Sequence, residues 1–107
     1  SGSAIRVPVP NVSLIDFTFN ASKKCTAEEV NAIIEKAAHG KMKGIIDFAR
    51  DELVSIDFNH TLYSTVFDPY ETKVINNMIR VLSWYDNEWG YSNRMVDVAK
   101  LIGKFLK

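Results

Sequence analysis

The segment SWYDNEWGYSNRM, residues 83–95, carries the densest group of side chains able to do chemistry. It places Asn87 and Glu88 among aromatic residues, between an apolar run and an amphipathic one. An amide at a helix start can accept hydrogen bonds from free backbone N–H groups, so Asn87 could simply cap a helix. Aromatic residues with polar ends, here Trp84 and Tyr91, can instead wall a pocket that needs one flat face and one amide. The residues alone leave both interpretations open.

Other reactive side chains are scattered along the chain. Cys25 precedes a predicted helix start, but no histidine lies near it, so we do not expect it to be a nucleophile. His39 and His60 fall on separate elements without a ligand at metal-binding spacing, so no metal site is predicted. Arg6 precedes the stiff segment VPVP, which suits a guanidinium that meets an oxyanion, although an exposed charge is the simpler interpretation. No glycine-rich phosphate loop is present.

Composition limits the function classes. With 107 residues, 47% hydrophobic and 24% charged, the chain is typical of one globular domain or a piece of one. Thirteen basic and thirteen acidic side chains cancel, which argues against nucleic acid as a partner. A single cysteine excludes an internal disulfide and favours a reducing compartment. No apolar run approaches the ~20 residues of a membrane span, and no signal peptide is recognisable, so we expect a cytoplasmic protein without a membrane partner.

Local patterns predict the elements that must position these residues. Residues 12–19 alternate as a strand, and Thr26 with Glu29 forms a capping box that opens a helix ending near Gly40. The short apolar runs GIID, LVSIDF and YSTVF are predicted strands. Residues 72–86 are typical of a hairpin that turns at Asn76 and Asn77, which can both take positive φ.

The last predicted element is a C-terminal helix with an apolar stripe from Met95 to Leu106, which needs a docking surface. Strand, helix, several strands and helix, joined by short connections, favour an α+β fold. We therefore expect a mostly antiparallel or mixed sheet with two helices on one face. The other face of that sheet would need a cover.

Four blocks together are similar to one family: RVPVPNVSLIDFTF, KGIIDF, LVSIDFNH and SWYDNEWGYSNRMVD. In order and spacing they resemble the C-terminal part of the catalytic domain of phosphorylating glyceraldehyde-3-phosphate dehydrogenases, over residues 2–106. The resemblance implies an NAD-dependent oxidoreductase of glycolysis that couples aldehyde oxidation to acyl-phosphate formation. It also implies a homotetramer whose partners are glyceraldehyde 3-phosphate and inorganic phosphate.

The resemblance also implies what residues 1–107 do not supply. The family's Rossmann domain, nucleophilic cysteine and base histidine lie upstream of the region that the blocks cover, and Cys25 and His60 match neither catalytic residue. Residues 1–107 are thus expected to be one unit, a catalytic-domain fragment that is inactive alone. We also expect the isolated fragment to expose apolar area and to self-associate through the uncovered sheet face.

The resemblance assigns roles to four residues. Arg6 matches the arginine that binds the substrate phosphate, and Asn87 matches the asparagine that holds the nicotinamide carboxamide. Tyr91 matches the tyrosine beside the nicotinamide ring, and Glu88 lines the same turn. Val9 stands where the family usually has threonine. Two alternatives remain: a fragment of erythrose-4-phosphate dehydrogenase, which shares most blocks, and a non-catalytic binding or assembly module with the same fold.

Overall fold

The computed structural model describes residues 2–106, and it contains four strands, two α-helices and one short 3₁₀ helix. The strands are β1 (Ser13–Asn20), β2 (Ile46–Phe48), β3 (Thr65–Ile75) and β4 (Met78–Tyr85). The helices are α1 (Ala27–His39), α2 (Trp89–Phe105) and the 3₁₀ helix η1 (Ser55–Phe58).

The four strands form one mixed sheet in the order β1-β4-β3-β2. β4 pairs antiparallel with β1 and β3, and the short β2 pairs parallel with β3. The pairing places Leu14, Trp84 and Val66 side by side on one face of the sheet. The predicted α+β class, a mixed sheet with two helices, is confirmed.

Helix α1 begins where the sequence predicts. The Thr26 hydroxyl accepts from the Glu29 N–H at 3.2 Å, and the Glu29 carboxylate accepts from the Thr26 N–H at 2.9 Å. These two bonds satisfy backbone donors that the helix itself leaves free. The helix ends at Gly40, where an added Cβ would lie 2.8 Å from the Lys36 carbonyl oxygen, so only glycine fits.

Helix α1 packs on β2 and β3, and one of its side chains accommodates an irregularity in β3. The pairing of β3 with β4 shifts register between Asp68 and Lys73, where Pro69 interrupts the ladder. Asn31 of α1 donates to the Pro69 carbonyl at 3.0 Å and accepts from the Thr72 hydroxyl at 2.7 Å. The predicted strand at YSTVF and the first arm of the hairpin therefore belong to one continuous strand, β3, whose pairing with β4 shifts register at its middle.

The hairpin between β3 and β4 turns at Asn76, whose φ of 57° confirms the predicted positive value. Asn77 is not among the residues with positive φ within residues 2–106, so that part of the prediction is wrong. One left-handed residue is enough because a two-residue hairpin of type II′ needs positive φ only at its first central residue, which is Asn76 here.

The segment LVSIDF is not a strand, contrary to the prediction. Residues Ser55–Phe58 form the 3₁₀ helix η1, and the Asp57 carboxylate accepts from the Val54 N–H at 2.9 Å. A local side chain to backbone bond of this kind competes with sheet pairing. Phe58 is then buried against Trp84, with the two rings stacked at 5.3 Å between centroids. Val12, Ala49 and Val66 complete this core cluster.

Helix α2 touches the rest of the described chain mainly through its first two turns. Gly90 is its buried residue, and a Cβ there would lie 2.6 Å from the Tyr63 carbonyl oxygen. Further along, Val98, Ile102 and Phe105 are exposed, so the predicted stripe exists but is uncovered in the described chain. No helix among residues 2–106 is long and apolar enough to cross a membrane.

Candidate functional site

The junction between β4 and α2 is organised around the carboxylate of Asp86, which is only 2% exposed. Oδ1 accepts from the backbone N–H groups of Glu88 at 3.1 Å and Trp89 at 2.9 Å. Oδ2 accepts from the Asn11 side-chain amide at 2.8 Å and from the His60 N–H at 2.9 Å. One buried anion thus joins three separate parts of the chain.

The hydrogen bonds keep Asp86 ionised despite its burial. Burial alone would raise the pKa of Asp86, since it disfavours the charged form. The donors at Trp89 and His60, then Asn11 and Glu88, outweigh that effect and lower the pKa below its ordinary value. A charged acceptor is therefore present at this junction at neutral pH.

Asp86, not Asn87, provides the cap of α2, so the capping interpretation of Asn87 is wrong. Helical hydrogen bonding begins at Asp86, whose carbonyl oxygen accepts from the Gly90 N–H at 3.1 Å. The Asp86 carboxylate takes the N–H groups of Glu88 and Trp89 that a cap must satisfy. Asn87 is exposed, and among residues 2–106 its side-chain amide has no hydrogen-bond partner.

The aromatic residues of this junction divide between core and surface. Trp84 belongs to the core, where its indole N–H donates to Asp68 at 3.3 Å and its ring stacks on Phe58. Tyr91 is 66% exposed on the first turn of α2, close in sequence to Asn87 and Glu88. The turn therefore presents an amide, a carboxylate and a phenol ring outward together.

Arg6 lies in the irregular segment before β1, and it is exposed. The described structure gives it no hydrogen bond or ion pair with the α2 turn among residues 2–106. The segment is nevertheless tied to that turn, because Asn11 donates to Asp86 at 2.8 Å and to Asn59 Oδ1 at 2.7 Å. The structure thus places Asn87, Glu88 and Tyr91 at the start of α2, and Asn11 ties the segment that carries Arg6 to the same junction.

Two strained residues flank the Asp86 network. Val12 has a φ of 72° and His60 a φ of 60°, values in the left-handed region that a β-branched residue such as valine rarely adopts. Val12 follows Asn11 directly and is buried, whereas the His60 N–H itself bonds Asp86. Such strain persists only where surrounding contacts over-determine the backbone. The positions of Asn11 and His60 are therefore tightly fixed.

A groove of about 270 Å³ lies beside this network, between the segment before β1 and η1. Its lining includes Val9, Pro10, Asn11, Ser55, Ile56 and Asn59. Val9, the departure from the family pattern, is thus an apolar wall of the groove.

Three further candidates from the sequence are Cys25, His39 and His60. Cys25 is a partly exposed free thiol. His39 lies 3.5 Å from the Arg50 guanidinium, at the end of α1, and the His60 ring packs on Trp89 at 4.6 Å between centroids. No group of three or more His, Cys, Asp or Glu side chains within residues 2–106 could hold a metal ion.

Asp86 and Asn11 are the residues that sequence reasoning missed. A signal for Asp86 was present, because an aspartate just before a helix is a strong cap. No local signal could identify Asn11 or His60 as its partners, since they lie 75 and 26 positions away in sequence.

The mixed sheet and its two helices define an α+β fold, and the start of α2 exposes an amide, a carboxylate and a phenol ring. The family described as "Glyceraldehyde 3-phosphate dehydrogenase, C-terminal domain" matches residues 1–87. The chain belongs to this family.

Curated relatives agree with the family match. The chain is 54% identical over 98% of its length to "Glyceraldehyde-3-phosphate dehydrogenase" of Cereibacter sphaeroides, covering 32% of that protein. It is 49% identical over 97% of its length to "Glyceraldehyde-3-phosphate dehydrogenase 1" of Bacillus subtilis, covering 31%. It is 51% identical over 95% of its length to "Glyceraldehyde-3-phosphate dehydrogenase GAPB, chloroplastic" of Arabidopsis thaliana, covering 23%. The chain spans a third or less of these relatives.

Proposed function

We propose that residues 1–107 form one unit, the C-terminal part of the catalytic domain of an NAD-dependent, phosphorylating glyceraldehyde-3-phosphate dehydrogenase. The intact enzyme converts glyceraldehyde 3-phosphate, inorganic phosphate and NAD⁺ into an acyl phosphate, NADH and a proton. Polypeptide outside these residues supplies the Rossmann domain, the nucleophilic cysteine and the base histidine. We place the intact protein in the cytoplasm, in glycolysis, as a homotetramer.

The observation that carries this proposal is the amide of Asn87, which is exposed and finds no hydrogen-bond partner within residues 2–106. Asp86 satisfies the backbone donors at the start of α2, so the Asn87 amide is not needed for capping. An amide side chain offers both a donor and an acceptor, which is the complement of a carboxamide. This makes Asn87 suited to hold the nicotinamide carboxamide.

The neighbouring residues fit a nicotinamide as well. Tyr91 exposes a flat ring on the same turn as Asn87, and Glu88 adds a carboxylate at its rim. Bound NAD supplies the acceptor for the hydride that leaves the aldehyde carbon. Asn87 and Tyr91 hold the nicotinamide so that one particular face of its ring meets the substrate.

Arg6 is assigned to the phosphate group of the substrate. Its guanidinium is exposed and carries a permanent charge with donors arranged to bind phosphate oxygens. Pro8 and Pro10 stiffen the segment that carries it, which lowers the entropy lost when the arginine binds.

The test is a chimeric enzyme in which this chain replaces the matching C-terminal third of the Cereibacter sphaeroides relative. We expect phosphate-dependent NAD reduction by the chimera and none by the isolated chain. A folded chimera that binds NAD but has no such activity would contradict the proposal, and would favour a non-catalytic module.

Two substitutions in the chimera separate the assigned roles. Arg6→Ala is expected to lower kcat/KM for the phosphorylated aldehyde about tenfold or more, because a charge-assisted contact is lost, without changing that for unphosphorylated glyceraldehyde. Asn87→Ala is expected to raise the Kd for NAD about fivefold. Identical defects in the two variants would contradict the separate roles. A higher kcat/KM for erythrose 4-phosphate than for glyceraldehyde 3-phosphate would favour the alternative dehydrogenase.

A further inference from the structure

We propose that Asp86 is a positioning residue that holds both parts of the site in register: Asn87 directly, and the segment carrying Arg6 through Asn11. This inference rests on the proposed function, because it assumes the roles given there to Asn87 and Arg6.

The four hydrogen bonds to the Asp86 carboxylate, here called the Asp86 anchor, have two halves. The first half holds Asn87. Asp86 Oδ1 reaches over Asn87 to the N–H groups of Glu88 and Trp89, at 3.1 and 2.9 Å. The backbone that follows Asn87 is therefore tied to the side chain of the residue that precedes it. Because the direction of a side chain follows from its backbone, this bond pair aims the Asn87 amide.

The second half of the Asp86 anchor holds the segment before β1. Asp86 Oδ2 accepts from Asn11 Nδ2 at 2.8 Å, and the same nitrogen donates to Asn59 Oδ1 at 2.7 Å. Both hydrogens of the Asn11 amide are thus used, so its orientation is fixed. The positive φ of Val12, the next residue, shows that the chain accepts strain to keep Asn11 in place.

The segment from Arg6 to Asn11 can transmit that position because it is stiff. Pro8 and Pro10 fix their own φ and restrict Val7 and Val9 to extended backbone. The Val9 N–H donates to the Val7 carbonyl at 2.9 Å, which closes a three-residue turn centred on Pro8. A displaced Asn11 would therefore displace Arg6 rather than be absorbed by a flexible linker.

Only a carboxylate can serve all the donors that converge here. Two donors face each oxygen of Asp86, and a carboxylate has acceptor sites for all four. Asparagine at this position would turn one oxygen into an NH₂ group that faces two donors. Either the α2 side or the Asn11 side of the anchor would then be lost.

The experiment measures two ratios in the chimeric enzyme defined above. The first is the Kd of pyridine adenine dinucleotide, which lacks the carboxamide, divided by the Kd of NAD, both measured calorimetrically without substrate. The second is kcat/KM for glyceraldehyde 3-phosphate divided by kcat/KM for unphosphorylated glyceraldehyde. A variant that merely folds less well changes neither ratio, because the loss of folded protein cancels.

We expect Asp86→Asn to lower both ratios, by about three- to tenfold each, the factor that one hydrogen bond carries. Asn87→Ala should lower only the first ratio, and Arg6→Ala only the second. Asn11→Ala keeps three of the four bonds to Asp86, so it should fold and should lower mainly the second ratio. Asp16→Asn, the same change at an exposed carboxylate on β1, should leave both ratios unchanged.

The outcomes separate this inference from the proposed function. If Asn87→Ala and Arg6→Ala move their ratios while Asp86→Asn and Asn11→Ala move neither, the anchor is overturned and the proposed function stands. If Asp86→Asn lowers only the first ratio, the link to Arg6 is overturned. If Asn87→Ala and Arg6→Ala themselves move nothing, the assigned roles fail, and the anchor fails with them.

Discussion

At the scale of single residues, the features that lower stability are concentrated around Asp86. Within residues 2–106, Val12, His60 and Asn76 are the non-glycine residues with positive φ. The His60 N–H bonds the Asp86 carboxylate, and Val12 follows Asn11, whose amide bonds it too. A buried charge and strained backbone both lower stability unless specific contacts offset them. Here the offset is four hydrogen bonds to one anion, which is the pattern expected of a site that must be held in one geometry.

The stability of the chain should depend on the charge of Asp86. The pKa of Asp86 is lower folded than unfolded, so its contribution is fully present above the unfolded pKa of about 3.9 and is lost as pH falls through the folded pKa. We expect Asp86→Asn to lower the free energy of unfolding by about 2 kcal/mol or more at pH 7. The difference from the unmodified chain should shrink below about pH 4, as urea unfolding at several pH values would measure.

The control for this prediction is Asp16→Asn. The hydrogen bond from the Arg80 side chain also lowers the pKa of Asp16, but both side chains are largely exposed and solvent screens their interaction. The Asp16 variant should therefore stay close to the unmodified chain at every pH. An Asp86 variant with an equally flat difference would contradict the burial argument.

At the scale of elements, sequence patterns predicted the helix start and the turn that contacts between neighbouring residues determine. The capping box of α1 lies within four consecutive residues, so Thr26 and Glu29 could be identified without the fold. The turn at Asn76 is local in the same way. The segment LVSIDF was predicted wrongly: a short apolar run suits a strand, but the Asp57 bond to the Val54 N–H and the burial of Phe58 against Trp84 favour a 3₁₀ helix.

In the candidate site, too, the sequence predicted local features and missed contacts between distant residues. Asn87, Glu88 and Tyr91 are close in sequence, and the structure keeps them on one turn. The Asp86 anchor could not be predicted, because its partners Asn11 and His60 come from distant positions and are brought together only by the packing of β1 and η1 around the core. The sequence therefore identified the exposed residues of the candidate site and missed the buried hydrogen bonds that hold them.

Removing the hydroxyl of Thr26 should weaken α1 measurably. Thr26→Ala leaves the Glu29 N–H without its acceptor, and the expected loss is about 1 kcal/mol in the free energy of unfolding. Thr26→Ser keeps the hydroxyl and should lose little. Equal values for the two variants in chemical denaturation would show that the methyl group, rather than the cap, stabilises the helix.

At the scale of the whole molecule, the chain is extended for its length. Its radius of gyration is 15.6 Å, compared with about 13 Å for a compact domain of this size. Large apolar side chains are exposed on β1 and along α2, including Ile15, Phe17, Leu101 and Phe105. Surface of this kind is typical of a part that packs against other polypeptide.

We expect the isolated chain to self-associate through the exposed face of β1. Sedimentation velocity over a range of concentrations should show species larger than the 12.1 kDa monomer. Phe17→Glu, on β1, should reduce association more than Phe105→Glu on α2, although both side chains are more than half exposed. A monomer at high concentration, or a larger effect of Phe105→Glu, would contradict the role assigned to the β1 face.

The tight contact at Gly90 has a mechanical consequence for the end of the chain. α2 has 17 residues and is about 25 Å long, and its start is pressed against the Tyr63 carbonyl oxygen. A methyl group at that point would force the start of the helix to tilt. A tilt of about 10° would swing its far end by about 4 Å on a rod of this length. The absence of a side chain at Gly90 therefore sets the angle between α2 and the sheet. That angle determines which surface the apolar stripe of α2 can contact.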